Sequence, residues 1–161
     1  MKIPIVNEQD EIIGYKERSD RNKEDIIRVR AVWVTDENGN ILLQQRKLTK
    51  KENPGKWGQA VGGTVEEGET YESNAYKEME EEIGVANVPL TLYKKIYRES
   101  NLGKRFLQLY TAQIPRSTKL IPQEDEVEAL RWVTKKELQK SFAENPEMYL
   151  GLIGQVKGLL F

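Results

Sequence analysis

The segment from Thr70 to Gly84 constrains the fold of this 161-residue chain more than any other. Apolar residues recur at helical spacing between Tyr71 and Ile83, and the flanking threonine and glycine are typical of helix caps. Cap residues at both ends of one amphipathic stretch predict a helix with an apolar stripe along one side. Other elements of the chain must therefore cover that stripe.

Extended segments are predicted on both sides of this helix. Those before it are residues 2–6 and 11–15 (an N-terminal hairpin), 26–35 and 41–46 (a hairpin around the turn 36–40), and 58–65. Those after it are 90–99, 105–113 and 129–133, followed by one helix from the cap Thr134 to about Ala143 and a last amphipathic helix over 148–161. The order and the length predict one α/β (α+β) domain over residues 1–161, with helices packed on a mixed sheet and residues 1–16 as a hairpin extension.

The chain has no cysteine and no histidine. A thiolate nucleophile and a cysteine-based metal site are therefore excluded, and the commonest general base is missing. Any metal chemistry must rely mainly on oxygen ligands, which suit magnesium, manganese or calcium. The absence of a long apolar segment predicts a cytoplasmic protein without a membrane partner. The net charge of -1 does not favour a nucleic-acid partner.

Acidic residues concentrate on the predicted helix, where Glu78, Glu81 and Glu82 project from the edge of its apolar stripe. Like charges at this spacing destabilise a bare helix by roughly 0.2–0.5 kcal/mol per pair, so a positive partner is expected. A divalent cation would serve, and an ordinary solvated acidic face is the alternative. A basic segment at residues 46–56 precedes the cluster, as a site for a metal–phosphate complex would require.

A longer spaced pattern covers residues 63–85: Gly63, TVEEG, Glu69, TYESNAY, then KEMEEEIGV. It resembles the Nudix box, Gly-x5-Glu-x7-Arg-Glu-apolar-x-Glu-Glu-x-Gly-apolar, with Lys77 in place of the arginine. The PGKW at 54–57 and the strand order are also similar to that family. The resemblance implies a Nudix-type α/β/α sandwich with a mixed central sheet. It also implies a magnesium-dependent hydrolase that cleaves a phosphoanhydride bond in a small diphosphate substrate, such as a nucleotide or a nucleoside diphosphate linked to another group.

The resemblance also assigns roles to residues. The implied ligands of Mg²⁺ (or Mn²⁺) are Glu78, Glu81 and Glu82, with Glu69 at a further metal or a water. Gly62 and Gly63 would bend the backbone sharply and bring their carbonyls close to the metal, and Lys77 would brace the glutamates without the planar fork of arginine. The reaction would be attack of a metal-activated water on phosphorus. The general base stays open among Glu81, Glu82, Glu124 and Glu126, with Glu126 slightly preferred over Glu124.

Three residues outside the box are candidates for substrate binding. Arg46 and Lys50 can hold phosphates, and their alternative is that of ordinary surface cations. Trp57 can stack on a base, and its alternative is packing beside a strand.

The stretch ILLQQRKLTKKENPGKW resembles the isopentenyl-diphosphate isomerase branch of the family. Isomerases of that branch need a cysteine and histidines near the box. Gly62 and Thr64 stand at two of those places, so isomerase chemistry through a thiol is excluded. A hydrolase on an isomerase-like scaffold remains.

Two other functions compete with hydrolysis. A non-catalytic regulatory module that binds a diphosphate ligand is motivated by Lys77, and an acidic interaction domain needs no metal at all. Homodimer formation is left open by the sequence.

Overall fold

The computed structural model describes all 161 residues and confirms the predicted α/β/α sandwich. Nine strands form one mixed sheet: β1 Lys2–Val6, β2 Ile12–Glu17, β3 Ile26–Thr35, β4 Ile41–Arg46, β5 Trp57–Gly58, β6 Val61–Thr64, β7 Thr91–Ser100, β8 Gly103–Gln113 and β9 Val127–Val133. The helices are α1 Tyr71–Ile83, α2 Lys135–Glu144, α3 Leu152–Gln155 and α4 Lys157–Leu160, with 3₁₀ turns at Arg18–Asp20 and Pro146–Met148. None of the helices is both long and apolar enough to cross a membrane.

Strand β3 organises the sheet because both of its edges are paired. Strand β8 runs parallel to it over its whole length on one edge. Three strands share the other edge in antiparallel pairing: β1 at 26–27, β6 at 29–32 and β4 at 34–35. Strand β4 then continues between β5 and β9. A gap therefore opens where β4 leaves β3, and the short strands β5 and β6 lie beside it.

The alternation of side chains along β3 supplies two cores, one on each face of the sheet. Val32 and Val34 point toward α1, where they join a cluster that includes Ala75 and Met79. Trp33 points to the opposite face, into a cluster with residues of α2, α3 and α4. The helix predicted to need a packing surface thus covers one face, and the C-terminal helices cover the other.

The caps of α1 are the predicted ones. The Thr70 hydroxyl accepts a hydrogen bond from the backbone N–H of Ser73 at 3.0 Å, and the Ser73 side chain reciprocates. Gly84 has a φ of 74°, and a Cβ there would lie 2.8 Å from Cβ of Ile121. Both the left-handed backbone and the close approach of the 121–123 segment therefore require glycine at this position.

The single helix predicted over 148–161 is wrong. Tyr149 is extended and bridges Trp57, and the Leu150 N–H donates to the Trp57 carbonyl at 2.8 Å. The remainder divides into α3 and α4 at Val156. Three glycines in this segment lower its helix propensity by about 1 kcal/mol each, so pairing with β5 prevails over a continuous helix. The amphipathic pattern still places Leu152 and its apolar neighbours in the core.

The N-terminal hairpin is tied to the body of the sheet through one carboxylate. Asp10 accepts hydrogen bonds from Arg28, Lys95 and the Tyr71 hydroxyl, at 2.7, 2.5 and 2.9 Å. Although burial opposes it, these donors lower the pKa of Asp10. The hairpin therefore contacts both β3 and the first turn of α1.

Candidate functional site

Glu82 of α1 borders the gap between β3 and β4. Its Oε2 accepts hydrogen bonds from the Gln44 side chain and from the backbone N–H of Gly62, each at 3.3 Å. The Gln44 amide also donates to the Ala60 carbonyl at 2.6 Å, which fixes its orientation. Glu82 is only 6% exposed. The structure thus holds one box carboxylate at the edge of the opened sheet.

The three carboxylates predicted to bind a metal differ in their surroundings. Glu82 is buried, Glu78 is partly buried and Glu81 is exposed. The structure contains no group of three or more acidic side chains arranged closely enough to hold a cation. Their assignment as metal ligands therefore stays a prediction, and their side chains would have to draw together around an ion.

A buried arginine faces the carboxylates, and sequence reasoning missed it. Arg30 of β3 is 1% exposed, and its Nη2 lies 3.6 Å from Oε2 of Glu78. Its Nε and Nη1 have no hydrogen-bond partner. Arg30 follows the same alternation as Val32 and Val34, which was the available indication that it points toward α1. Part of the positive charge expected beside the glutamates is therefore a protein side chain.

Burial dominates the acidity of the two inner carboxylates. It raises the pKa of Glu82 to about 7 against the opposing attraction of Arg30. Burial also raises the pKa of Glu78, where Arg30 opposes the shift and Glu81 adds to it. The positive charge of the surrounding side chains is thus insufficient to hold both carboxylates at their ordinary acidity.

Lys77 contacts three acidic side chains in front of and along α1. Its Nζ lies 2.6 Å from Glu69, 3.5 Å from Glu66 and 3.8 Å from Glu78. Although burial opposes both shifts, this contact lowers the pKa of Glu69 and raises the pKa of Lys77. Asn74 also donates to Glu69. The contacts agree with the bracing role that the resemblance implies for Lys77.

Gly62 and Gly63 do not form the sharp bend that was predicted. Both lie inside β6, paired with Ala31 and Arg30 of β3, and neither has a positive φ. A Cβ at Gly63 would lie 3.0 Å from Nη1 of Arg30. A side chain at Gly63 would therefore press on the buried guanidinium of Arg30. The backbone turn in front of α1 occurs at Gly68 instead.

The three residues predicted to contact the substrate have different surroundings in the structure. Arg46 lines a cavity beside the gap, and its Nε donates to the Glu52 carbonyl at 3.0 Å. Lys50 forms an ion pair with Glu126. Trp57 packs against the core on the α2 face and is not among the residues that line the cavity, so its stacking role is not supported.

The two candidate bases outside α1 lie in the segment that follows the α1 C-terminus. The Gln123 N–H donates to the Glu82 carbonyl at 2.9 Å, which ties this segment to the helix. Glu124 is exposed, and Glu126 is paired with Lys50. Neither carboxylate contacts the glutamates of α1 in this arrangement.

A cavity of about 270 Å³ begins at the gap and extends over the face of the sheet opposite α1. Gln44, Gly62 and Gly63 line it, and Gln44 and Gly62 also hydrogen-bond Glu82. The carboxylates and the cavity are therefore neighbours through the opened sheet. A ligand in the cavity would therefore approach the α1 carboxylates at this gap.

The chemistry of the available donors fits a divalent cation that prefers oxygen. The box supplies carboxylates alone, and the chain offers no thiolate or imidazole. Both hydrogen bonds found for Glu82 fall on Oε2, which leaves Oε1 without a partner. Magnesium or manganese is the kind of ion that such a set would hold.

Comparison with known proteins agrees with this arrangement. A family model described as the NUDIX domain matches residues 26–150. The uncharacterized Nudix hydrolase YfcD of Escherichia coli K12 is 33% identical over 138 residues, covering 84% of this chain and 75% of that protein. An uncharacterized Nudix hydrolase of Yersinia pestis is 30% identical over 138 residues, covering 84% and 74%.

Solved structures share the fold. DR0079 from Deinococcus radiodurans has a TM-score of 0.77 at 23% identity, covering 89% of this chain and 90% of that one. The NUDIX domain of Shewanella oneidensis NrtR, solved with ADP ribose, has a TM-score of 0.62 at 15% identity, covering 83% and 90%. The family match and the relatives, together with the box on α1, show that this chain belongs to the Nudix family of hydrolases of nucleotide-like diphosphates.

Proposed function

We propose that the protein is a Mg²⁺- or Mn²⁺-dependent hydrolase that cleaves a phosphoanhydride bond in a nucleotide or a nucleoside diphosphate linked to another group. One observation carries the proposal: the box carboxylate Glu82 hydrogen-bonds Gln44 and Gly62, which also line the cavity at the gap between β3 and β4. A diphosphate at the gap would thus meet the acidic edge of α1.

Some residues of the site would bind the cation or the substrate through their charge, and others would position those residues. Glu78, Glu81 and Glu82, with Glu69 beyond them, would hold the cation. A divalent ion bound there would supply charge that acidifies water and neutralises diphosphate oxygens. Gln44 orients Glu82, and Lys77 holds Glu69 in place. Arg46 lines the cavity, where its charge would attract the anionic substrate.

The reaction replaces one bond to phosphorus by another. The water oxygen bonds to one phosphorus as the bridging oxygen leaves with the second phosphate, and a carboxylate takes the proton of the water. Glu81 and Glu82 lie on α1 itself, whereas Glu126 must leave Lys50 before it can act. We therefore place the base on α1 first and retain Glu126 and Glu124 as the alternatives that mutation must separate.

The ADP-ribose complex of the structurally similar NUDIX domain supports a diphosphate ligand, whether or not it is cleaved. The test is to incubate the purified protein with Mg²⁺ and a panel of nucleotides and nucleoside diphosphate conjugates, and to identify products by mass. Two products related by addition of one water are expected. Saturable binding without product would instead favour the non-catalytic module, and unchanged thermal stability with Mg²⁺ or Mn²⁺ would favour an acidic interaction domain.

A further inference from the structure

The cavity that meets the gap is strongly cationic. Five of the chain's arginines line it, and Glu52 is its one acidic lining residue. The five are Arg18, Arg21, Arg46, Arg98 and Arg105. This concentration contrasts with a net charge of -1 for the whole chain.

None of these five arginines forms an ion pair, although Arg28, Arg30 and Arg116 elsewhere in the chain all do. Nε and Nη2 of Arg105 are buried without a hydrogen-bond partner. Burial lowers the pKa of Arg105, and the neighbouring positive charges of Arg21 and Arg98 lower it further, against the opposing attraction of Glu52. Buried guanidinium donors without partners are costly, and an anion with several acceptor oxygens would satisfy them.

Pairing across the sheet fixes where these arginines stand. Arg105 of β8 is paired with Ile27 of β3 on one side and with Arg98 of β7 on the other, so both arginines share one face. Gly62 and Thr64 of β6 lie on the other edge of β3. Ile27 also lies two to four residues before Val29 and Ala31, the partners of Thr64 and Gly62. With strands about 4.8 Å apart and about 3.3 Å per residue along a strand, the backbone of Arg105 lies about 12–16 Å from Thr64 and Gly62, and that of Arg98 about 16–20 Å.

Contacts with the backbone position two of the cavity arginines, Arg21 and Arg98. The Arg21 guanidinium donates to the Leu102 carbonyl in the turn between β7 and β8. A Cβ at Gly151 would lie 2.6 Å from Nη2 of Arg98, so that guanidinium packs directly on the backbone that precedes α3. The charged groups are thus positioned by the fold, since each packs on backbone from a different part of the chain.

From this arrangement we infer that the cavity binds a second phosphate, carried by the substrate at a distance from the diphosphate that is cleaved. The inference rests on the proposed function, because it assumes that the diphosphate occupies the gap beside Glu82. The substrate class is then a diphosphate compound whose far end bears a phosphate monoester. Multiple guanidinium groups suit such a group because they offer paired N–H donors to its three terminal oxygens.

The first test uses inorganic phosphate in EDTA at constant ionic strength, so that neither a metal nor hydrolysis is involved. Phosphate should raise the melting temperature of the wild-type protein saturably. The shift should vanish in the double variant Arg98→Gln/Arg105→Gln and persist in Arg131→Gln, an exposed arginine outside the cavity. Arg18→Gln, at an exposed position of the cavity rim, should reduce the shift even if the double variant does not fold. No shift in the wild type, or equal shifts in all variants, would overturn the inference.

The second test compares adenosine 3′,5′-bisphosphate with adenosine 5′-monophosphate by calorimetry, again in EDTA. Neither compound contains a phosphoanhydride. The bisphosphate should bind at least about tenfold more tightly to the wild type and to Glu81→Gln, and the difference should become smaller in Arg18→Gln. Equal affinities for the two compounds would overturn the second-phosphate assignment. Because these tests need no turnover, they can fail while hydrolysis succeeds, and they can succeed while hydrolysis fails.

Discussion

The acidic edge of α1 and the arginine-lined cavity differ in how the protein compensates their charges. On α1, Arg30 and Lys77 already contact Glu78 and Glu69, so the carboxylates are partly neutralised by side chains. In the cavity the arginines have no carboxylate partners. The first region is a set of candidate ligands with internal support, whereas the second presents a positive charge that Glu52 offsets only in part. Candidate cation and anion sites on one sheet can therefore be supported in opposite ways.

The largest expected effect tests the acidic region directly. Glu81→Gln and Glu82→Gln should each lower kcat by about 10²- to 10⁴-fold, because a neutral amide neither compensates a cation nor accepts a proton. Steady-state hydrolysis of a substrate found in the panel measures this, with circular dichroism to confirm folding. Glu80→Gln is the matched control, since Glu80 is exposed on the same helix at an unconstrained box position. Unchanged rates in both variants would remove the assignment.

The next effect tests how far Arg30 stabilises the carboxylates of α1. Arg30→Met should lower the free energy of unfolding by about 3–5 kcal/mol, because it leaves Glu78 and Glu82 without their buried cationic partner. Urea denaturation in metal-free buffer measures the loss. Arg131→Met, at an exposed position, should stay within about 0.5 kcal/mol of wild type. A similar small effect at Arg30 would mean that the buried pair contributes little.

Much of the sandwich could be predicted because its determinants are local. The caps of α1 and the extended segment 26–35 depend on neighbouring residues, and both were predicted with the bounds that the structure has. The 148–161 helix failed because the competing interaction, the pairing of Tyr149 with Trp57, joins residues far apart in the sequence. The Gly62–Gly63 prediction failed for a similar reason, since both residues pair with β3, and the group closest to Gly63 belongs to Arg30 on that strand.

The two regions also differ in how far sequence could find them. The glutamates of α1 share one helix, so their spacing alone indicates a cluster. The arginine cavity draws on residues from 18 to 105, and only the register of β3, β8 and β7 places Arg98 beside Arg105. The basic segment 46–56 was the predicted phosphate contact, yet of its cations only Arg46 lines the cavity.

We expect the titration of Glu82 to make the free energy of unfolding depend on pH. The change should be close to the lower end of the range given for Arg30→Met. Its pKa in the folded protein, about 7, lies above its ordinary value of 4.5, so between these values the folded state keeps a proton that the unfolded state has lost. Stability should therefore fall as pH rises from 5 to 8, by on the order of 3 kcal/mol relative to Glu82→Gln. Denaturation of both proteins in EDTA at pH 5 and pH 8 measures this. A difference between them that does not change with pH would contradict the assigned shift.

The smallest effect concerns the residue that departs from the box. Lys77→Arg should raise kcat by less than about tenfold, because the planar guanidinium group can hold Glu69 bidentately. Lys77→Gln should lower kcat, since it removes the charge that contacts three carboxylates. Parallel assays of kcat in the two variants test this. An equal fall in kcat in Lys77→Arg and Lys77→Gln would show that the positive charge of Lys77 is not what braces the carboxylates.

The most direct measurement is a crystal structure of the protein soaked in Mn²⁺, with anomalous diffraction to locate the ion. The account predicts an anomalous peak at the acidic edge of α1, about 2.0–2.3 Å from carboxylate oxygens of at least two of Glu78, Glu81 and Glu82. A fully soaked crystal with no peak there, and with Glu78 still directed at Arg30, would contradict it.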